Sequence, residues 1–216
     1  MIAAVDAVAS GAASNAFCAI RPPGHHAEQH EAMGFCFFNN VAIGAAHAHA
    51  VHGFQRVAVV DFDVHHGNGT QAMFAANSHM FFISTHQWPF YPGTGARNER
   101  GAFNNILNIP LPAGHSGQAF RNATMGEILS VLTTFSPDFL LISAGFDAHE
   151  NDPLGGLNLN EDDFYFITKA LVDFAAKQCG GRVVSTLEGG YDLPALGASA
   201  AAHVRALMSL PPVAGL

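Results

Sequence analysis

Residues 57–69 read VAVVDFDVHHGNG. The first four are apolar β-formers and predict a buried strand, which we place at 57–61. In extended chain, side chains two residues apart leave the same face, so Asp63 and His65 should point to one side just past the strand. A carboxylate and an imidazole in that position make two of the three protein ligands of an open zinc site. The alternative is a solvated acidic turn with incidental histidines.

A second predicted strand, at 138–143, also runs into a carboxylate. Residues 139–146 read FLLISAGF, and Asp147 follows them. In open parallel α/β sheets, binding sites form beyond the carboxyl ends of the strands, which makes Asp147 the candidate third ligand. Two Asp and one His leave coordination positions free for water and substrate, as is typical of a catalytic metal site. Taken alone, Asp147 fits a turn or cap residue equally well.

Two further clusters follow strands predicted at 16–20 and 183–187. RPPGHH occupies 21–26, where a rigid Pro-Pro-Gly turn precedes tandem histidines that can transfer protons near neutral pH. EGGYD occupies 188–192, where paired glycines allow close approach of the backbone to a ligand and a tyrosine hydroxyl can donate to a developing oxyanion. Each cluster is weak evidence alone. Together with the two carboxylate-bearing strand ends, they indicate a metal hydrolase.

The rest of the chain alternates predicted strands and helices and has no internal repeat. We expect another strand at 80–85 and helices at 39–52, 117–134, 161–178 and 194–209. This order predicts an α/β fold of three α/β/α layers around a central, mainly parallel sheet. His47, His49 and His52, in the first of these helices, are expected to be solvent-facing or satisfied locally. The long loop at 87–104 has the composition of a site-lining loop.

Composition bounds the class of protein. A chain of 216 residues predicts one domain, 1–216, which buries about 70% of its unfolded surface. The net charge of -8 argues against a nucleic-acid partner, whereas it favours cationic substrates such as acyl-lysine peptides or polyamines. No apolar run has membrane-spanning length, and the N-terminus lacks the basic region of a signal peptide, so we expect a cytoplasmic protein without a membrane partner. The three cysteines predict free thiols.

Six motifs together resemble the histone deacetylase superfamily, which includes class II-like bacterial histone-deacetylase-like amidohydrolases, acetoin-utilisation-type proteins and acetylpolyamine amidohydrolases. They are RPPGHHA at 21–27, MGFCFFNN at 33–40, DFDVHHGNGT at 61–70, YPGTG at 91–95, SAGFDAH at 143–149 and LEGGYD at 187–192. They occur in the family's order and span nearly the whole chain. The resemblance implies an arginase/deacetylase-like fold and a zinc-dependent amidohydrolase that removes acetyl or acyl groups from acyl-lysine or related N-acyl amines.

The resemblance also implies a catalytic role for five residues. His25 and His26 match a histidine pair that flanks the reacting water, with His26 as general base and acid. Asp61 matches the carboxylate that orients His25. Asn68 stands behind His26, where the class I branch has a second Asp. Tyr191 matches the residue that hydrogen-bonds the substrate carbonyl.

The metal assignments follow from the same resemblance. Asp63, His65 and Asp147 match the zinc ligands, although this ligand set also accepts Fe²⁺ or Co²⁺. A structural K⁺ or Na⁺ is implied beneath the zinc. Its ligands would be Asp61, Ser84 and the main-chain carbonyls around Asp63, His65 and Thr85. A second, weaker cation position is implied at Phe74, Asn77, Met80 and Asn105.

Substrate binding is implied at a narrow tunnel. Gly34, Phe35 and Tyr91 match its walls, and Leu154 and Gly189 are assigned to the substrate site as well. Polyamine-selective eukaryotic relatives carry an acidic residue at the position of Leu154, so a leucine there favours acyl-lysine. The polyamine alternative stays open because acidic residues, Glu150 and Asp152, stand nearby in the sequence.

The resemblance carries one departure at the start of the chain. Relatives have a substantial segment, including early sheet strands, before the first motif, and we therefore expect the N-terminal strands of the fold to be missing. An uncovered sheet edge exposes unpaired backbone groups, which favours aggregation, association into a homo-oligomer through that edge, or lowered stability. A third interpretation follows from the same observation, namely a metal-binding fragment without catalytic activity.

Overall fold

The computed structural model describes residues 1–212 and contains a sheet of six parallel strands in the order β1-β6-β5-β2-β3-β4. The strands are β1 Asn15–Cys18, β2 Val57–Asp61, β3 Met80–Gln87, β4 Ile106–Leu111, β5 Phe139–Ala144 and β6 Val183–Leu187. The helices are α1 Ile2–Ala9, α2 Asn40–Ala50, α3 Asn68–Phe74, α4 Gly117–Ala123, α5 Leu129–Phe135, α6 Glu161–Gln178 and α7 Leu193–Leu207, with a π-helical turn at Thr124–Ile128 between α4 and α5. The predicted α/β fold with a parallel sheet is confirmed.

Helices cover both faces of the sheet. Successive side chains of a strand point to opposite faces, and in β2 Val57 and Val59 belong to one apolar cluster while Ala58 and Val60 belong to another. The first cluster also takes buried residues from α1, α2 and α3. The second takes them from α4, the π-helical turn, α5, α6 and α7. The chain therefore folds as three layers, with the sheet buried between two layers of helices.

The limits of helix α6 follow from its local sequence. The side chain of Asn160 accepts the N–H of Asp163 at 3.3 Å, and the carboxylate of Asp163 accepts the N–H of Asn160 at 3.0 Å, which forms a capping box. Its apolar stripe is buried, and Gly180 after its end has a φ of 60°. The predicted helix 161–178 matches, and the other predicted strands and helices overlap the observed ones within a few residues.

The predicted strands and helices do not include β4 and α3. Strand β4 contains Pro110, which cannot donate a ladder hydrogen bond and is tolerated because β4 lies at the edge of the sheet. Helix α3 starts in the Gly-Asn-Gly segment, which is typical of a turn, and its seven residues are too few for a clear helical period. Among the helices of residues 1–212, none combines the length and hydropathy that crossing a membrane requires.

The strand order places one crevice at the centre of the sheet. After β2 the chain moves outward through β3 to β4, then returns to pair β5 with the other side of β2 and continues outward to β6. Connections therefore leave β2 and β5 in opposite directions. Such a switch point opens a crevice beyond the carboxyl ends of the two strands. The segments after Asp61 and Ala144 meet there.

Candidate active site

Three side chains of kinds that ligate metal ions converge in the crevice between β2 and β5. Asp63 and His65 follow β2, and Asp147 follows β5. Nδ1 of His65 lies 3.1 Å from Oδ1 of Asp63 and 3.1 Å from Oδ2 of Asp147. One ligand atom from each residue lies within 4.8 Å of the others. The structure therefore brings together the three residues that the strand ends predicted.

The charges of this cluster suit a cation. Burial raises the pKa of Asp147, the charge of Asp63 raises it further, and it reaches about 7. Burial lowers the pKa of His65, but hydrogen bonds to Asp147 and Asp63 outweigh that effect and raise it to about 10. Two buried carboxylates thus draw positive charge to the position that they share with His65. A divalent ion with imidazole and carboxylate ligands fits this set of donors.

Main-chain N–H groups hold the two carboxylates in place. Gly189 donates to Oδ2 of Asp63 at 2.8 Å, and Val64 donates to Oδ1 of Asp147 at 2.9 Å. A Cβ on Gly189 would overlap the carboxylate of Asp147, so the close approach requires glycine. Gly189 is not among the residues that line the pocket described below, and its assignment to the substrate site stays a prediction.

The histidine pair sits beside these ligands with a different partner behind each ring. Nδ1 of His25 is 2.9 Å from Oδ2 of Asp61, and Nδ1 of His26 is 2.8 Å from Oδ1 of Asn68. The amide nitrogen of Asn68 donates to Glu28 at 2.8 Å, which turns its oxygen toward His26. Nδ1 of His26 must then carry the proton, and Nε2 keeps its lone pair.

The two histidines differ in charge. Burial lowers the pKa of His25, but the carboxylates of Asp61 and Asp63 outweigh burial and raise it well above 6.5. Burial also lowers the pKa of His26, and the charge of His25, whose ring centroid is 4.0 Å away, lowers it further to about 3. At neutral pH, His25 is therefore a cation and His26 is a neutral acceptor.

A buried glutamate that the sequence analysis did not single out ties this pair to β6. Oε2 of Glu188 accepts the N–H of Gly24 at 2.6 Å and of His25 at 3.1 Å, and Oε1 accepts the hydroxyl of Ser143 at 3.0 Å. Burial raises the pKa of Glu188 to about 7. The segment before the histidines is thereby fixed to the end of the neighbouring strand.

The main chain of Tyr191 is held by a buried carboxylate, that of Asp152. Its main-chain N–H donates to Oδ2 of Asp152 at 2.7 Å, and Oδ1 of Asp152 accepts the N–H of Leu154 at 2.9 Å. The guanidinium of Arg21 lies 5.4 Å from the centre of the Tyr191 ring and donates to the carbonyl of Gly190 at 2.6 Å. Burial and the charge of Asp63 raise the pKa of Tyr191, so its hydroxyl keeps its proton.

A pocket of about 750 Å³ opens above these groups. Four of the five residues assigned to the substrate site line it, namely Gly34, Phe35, Tyr91 and Leu154, together with His26, His65 and Tyr191. Phe90, which the sequence analysis did not single out, also lines it and stacks on the ring of His65 at 5.2 Å between centroids. The lining therefore combines aromatic surface with the rings of His26 and His65 and the hydroxyl of Tyr191.

The two positions assigned to monovalent cations differ in which groups surround them. Asp61 and Ser84 are register partners on β2 and β3, and the buried hydroxyl of Thr85 has no hydrogen-bond partner among the described residues. At the second position, Nδ2 of Asn105 lies 2.8, 3.1 and 3.0 Å from the carbonyl oxygens of Phe74, Asn77 and Met80. Those carbonyls converge as the resemblance implied, but an amide group occupies the place assigned to the cation.

Comparison with known proteins assigns the family. A model described as the histone deacetylase domain matches residues 1–207. The chain belongs to the histone deacetylase family. It is 45% identical over 195 residues to the histone deacetylase-like amidohydrolase of Pseudomonas aeruginosa, with 88% of this chain and 51% of that protein aligned. It is 42% identical over 195 residues to a probable deacetylase of Archaeoglobus fulgidus, with 89% and 54% aligned.

Relatives in plants are similar as well. Histone deacetylase 10, chloroplastic, of Oryza sativa subsp. japonica is 46% identical over 201 residues, with 92% of this chain and 45% of that protein aligned. The crystal structure of the HDA15 HD domain superposes with a TM-score of 0.92 at 40% identity, covering 99% of this chain and 61% of that one. The chain thus spans about half the length of these curated relatives, and it has the fold of the family.

Proposed function

We propose that this histone deacetylase family chain is a metal-dependent amidohydrolase that removes acyl groups from acyl-lysine or a related N-acyl amine. The observation that carries the proposal is that a neutral histidine, His26, and a protonated tyrosine, Tyr191, line one pocket together with His65 of the Asp63–His65–Asp147 cluster. Each group alone has other uses in proteins. Their combination matches the requirements of amide hydrolysis, which are a base, a donor for the oxyanion and a Lewis acid.

The metal would be held by Asp63, His65 and Asp147, with Zn²⁺ as the first candidate and Fe²⁺ or Co²⁺ as alternatives. When bound, such an ion polarises an amide carbonyl and lowers the pKa of water toward about 7. Its ligands are rigid, because main-chain N–H groups of Val64 and Gly189 hold both carboxylates.

The chain's own residues supply the proton transfers. Nε2 of His26, with its lone pair directed away from Asn68, takes a proton from the attacking water and returns it to the leaving amine. The hydroxyl of Tyr191 donates to the oxygen on which negative charge develops. The positive charge of His25, held by Asp61, stabilises the negative charge that develops on the substrate oxygen. It also keeps His26 neutral between turnovers.

The pocket walls suit an acyl-lysine side chain. Phe35, Phe90, Tyr91 and Leu154 present apolar surface along which a chain of methylene groups can pack. The acidic chain favours a cationic substrate. Neither feature selects one acyl length.

The polyamine alternative depends on a carboxylate free to bind a second ammonium group. Asp152 does not meet that need, since its side chain is 6% exposed and accepts N–H groups from Leu154, Tyr191 and Asp192. Glu150 is exposed and stays available. We therefore favour acyl-lysine as the substrate class.

The test is release of amine from a fluorogenic acetyl-lysine peptide by the purified chain, with and without added Zn²⁺. We expect zinc-dependent turnover that a hydroxamate inhibits, and a lower rate on an acetylated polyamine. Asp147→Ala and His65→Ala should lose the metal at this site together with turnover. A folded, metal-loaded chain that hydrolyses no acyl-lysine substrate would support the alternative of a non-catalytic metal-binding protein. The bound K⁺ or Na⁺ near Asp61 and Ser84 stays a prediction that metal analysis would check.

A further inference from the structure

A second group of metal-ligand side chains lies away from the pocket. Asp6 is on α1, His47 is near the end of α2, and His52 follows α2. Helix α2 begins beside the active site, where the Asn39 amide donates to the carbonyl of Ala27 at 3.2 Å. It then runs for 11 residues, or about 16 Å, toward the opposite edge of the sheet, where β2 begins. The group is therefore separate from the catalytic residues.

The ligand atoms of this group converge on one point. Nε2 of His47 lies 2.6 Å from Oδ1 of Asp6, and Nε2 of His52 lies 2.7 Å from the same oxygen. The two rings are 5.4 Å apart between centroids and inclined by 75°, so they meet at an angle rather than stack. Ligand atoms of all three side chains lie within 4.8 Å of one another. From the sequence, both histidines are expected to be solvent-facing or satisfied locally, whereas their shared partner Asp6 is 41 and 46 residues away.

Neighbouring histidines provide a contrast within the same region. His49 and His79 stack with ring centroids 4.4 Å apart. Nδ1 of His49 bonds to the carbonyl of Phe54 at 2.7 Å, and Nδ1 of His79 bonds to the carbonyl of Gln55 at 2.9 Å. These rings use main-chain oxygens and share no carboxylate. Convergence on a carboxylate therefore distinguishes the pair formed by His47 and His52.

We propose that Asp6, His47 and His52 form a second metal site, which takes a divalent transition-metal ion such as Zn²⁺. Two imidazole nitrogens and one carboxylate oxygen are a ligand set that Zn²⁺, Ni²⁺ and Cu²⁺ accept. The ion would replace the Nε2 protons that now bridge the rings and the carboxylate. Each ligand must be deprotonated to bind, and the hydrogen bonds from both histidines lower the pKa of Asp6, which keeps it ionised.

Exposure of the group fits an exchangeable rather than a sealed site. The side chains of Asp6, His47 and His52 are 49%, 17% and 25% exposed. Water can therefore reach the ion and complete its coordination, and the ion can enter without opening the core. On the inner side, Val5 of α1 and Ala48 of α2 belong to one buried cluster, so the backbone of both helices is fixed. The bound ion would connect α1 to α2 and stabilise their packing.

The test counts zinc ions per chain after the full chain has been stripped with a chelator, reloaded with Zn²⁺ and desalted. We expect two for the wild type, one for His47→Gln or His52→Gln, one for Asp147→Ala, and none for the double variant His47→Gln/Asp147→Ala. Glutamine keeps an N–H that can donate to Asp6, so the hydrogen bond to α1 can survive while the metal ligand is lost. His49→Gln is the matched control and should keep both ions.

Thermal unfolding provides a second readout that does not use activity. Zn²⁺ should raise the Tm of the Asp147→Ala chain and leave the Tm of the double variant unchanged. If Asp147→Ala alone removes all bound zinc, or if His47→Gln binds as much as the wild type, the second site is wrong. Failure of the catalytic assignment looks different, because Asp147→Ala would then bind as much zinc as the wild type while His47→Gln would still lose one ion.

Discussion

Oδ2 of Asp152 accepts the main-chain N–H of Tyr191 at 2.7 Å, although 39 residues separate the two in sequence. Through Oδ1 the same carboxylate holds the N–H of Leu154 at 2.9 Å. The buried side chain of Asp152 thus fixes both the loop of Tyr191, the proposed proton donor, and Leu154, which lines the pocket.

Replacing Asp152 with Asn should therefore reduce turnover more than substrate binding. The amide keeps one acceptor oxygen, so one of the two loops loses its anchor and the Tyr191 hydroxyl is misplaced. A displacement of about 1 Å costs up to roughly 10²-fold in rate. The measurement is kcat and KM on an acetyl-lysine peptide. Glu150→Gln, which changes an exposed carboxylate nearby, is the control and should leave kcat unchanged. Equal effects of both variants would contradict a positioning role.

Tyr191→Phe should keep the metal and lose most turnover. The substitution removes the hydroxyl, and loss of one donor to an oxyanion costs about 10²–10³ in kcat. Metal content and kcat measured on the same preparation separate the two effects. Full activity in this variant would refute the role proposed for Tyr191.

The metal-free chain should become less stable as pH rises from neutral to alkaline values. The pKa of His65 is raised from 6.5 to about 10, so its stabilising contribution is complete below 6.5 and is lost as pH rises through about 10. Asp147 changes the stability at lower pH. Because its pKa is raised from 3.8 to about 7, its contribution to stability is lost as pH rises between these two values. For a domain of this size, each kcal/mol shifts Tm by about 2–4 °C.

The measurement for His65 is Tm against pH in the presence of a chelator. His65→Gln has no proton to lose, and its Tm should fall less over the alkaline range than that of the wild type. Parallel curves for the two proteins would show that the His65 proton does not stabilise the fold.

Asn68→Asp should move the acid limb of the pH–rate profile to higher pH. A carboxylate 2.8 Å from Nδ1 of His26 favours the imidazolium and raises a pKa that now lies near 3. In the proposed mechanism His26 acts as the base in its neutral form, so a larger fraction of the protein would be inactive at a given acidic pH. The profile of kcat/KM against pH measures the shift.

Glu28 determines how this variant should be built. Its carboxylate accepts the Asn68 amide at 2.8 Å and would repel a second carboxylate there. Glu28→Gln supplies a donor, so the double variant Asn68→Asp/Glu28→Gln keeps a hydrogen bond, and Glu28→Gln alone is the control. An acid limb that stays in place in the double variant would show that His26 is not the titrating base.

Much of the candidate site could be predicted because its residues follow apolar strands directly. Asp63, His65 and Asp147 stand within a few residues of β2 and β5, and a parallel sheet brings the ends of such strands to one edge. Helix α6 could be predicted equally well, since a capping residue, an apolar stripe and terminating glycines lie within one short segment.

The rest depends on contacts between distant parts of the chain. Glu188 bonds to Gly24 across 164 residues, and no local pattern distinguishes it from a turn glutamate. The need for glycine at position 189 is hidden for a related reason, because only the fold shows that the Asp147 carboxylate fills the space of its missing side chain. The sequence likewise leaves Asp152 as a carboxylate that could bind a polyamine. In the structure its carboxylate accepts main-chain N–H groups instead.

The pairing of β1 with β6 has a consequence for how the molecule is made. Asn15 lies opposite Val183, so β1 can pair with β6 only after every other strand of this sheet has been synthesised. Contacts of such large sequence separation close late and slowly. The histidines at 25 and 26 follow β1, and the N–H of His25 bonds to Glu188 after β6, so this contact forms only once β6 has been made. A nascent chain without β6 would lack it, even where the central strands have already condensed.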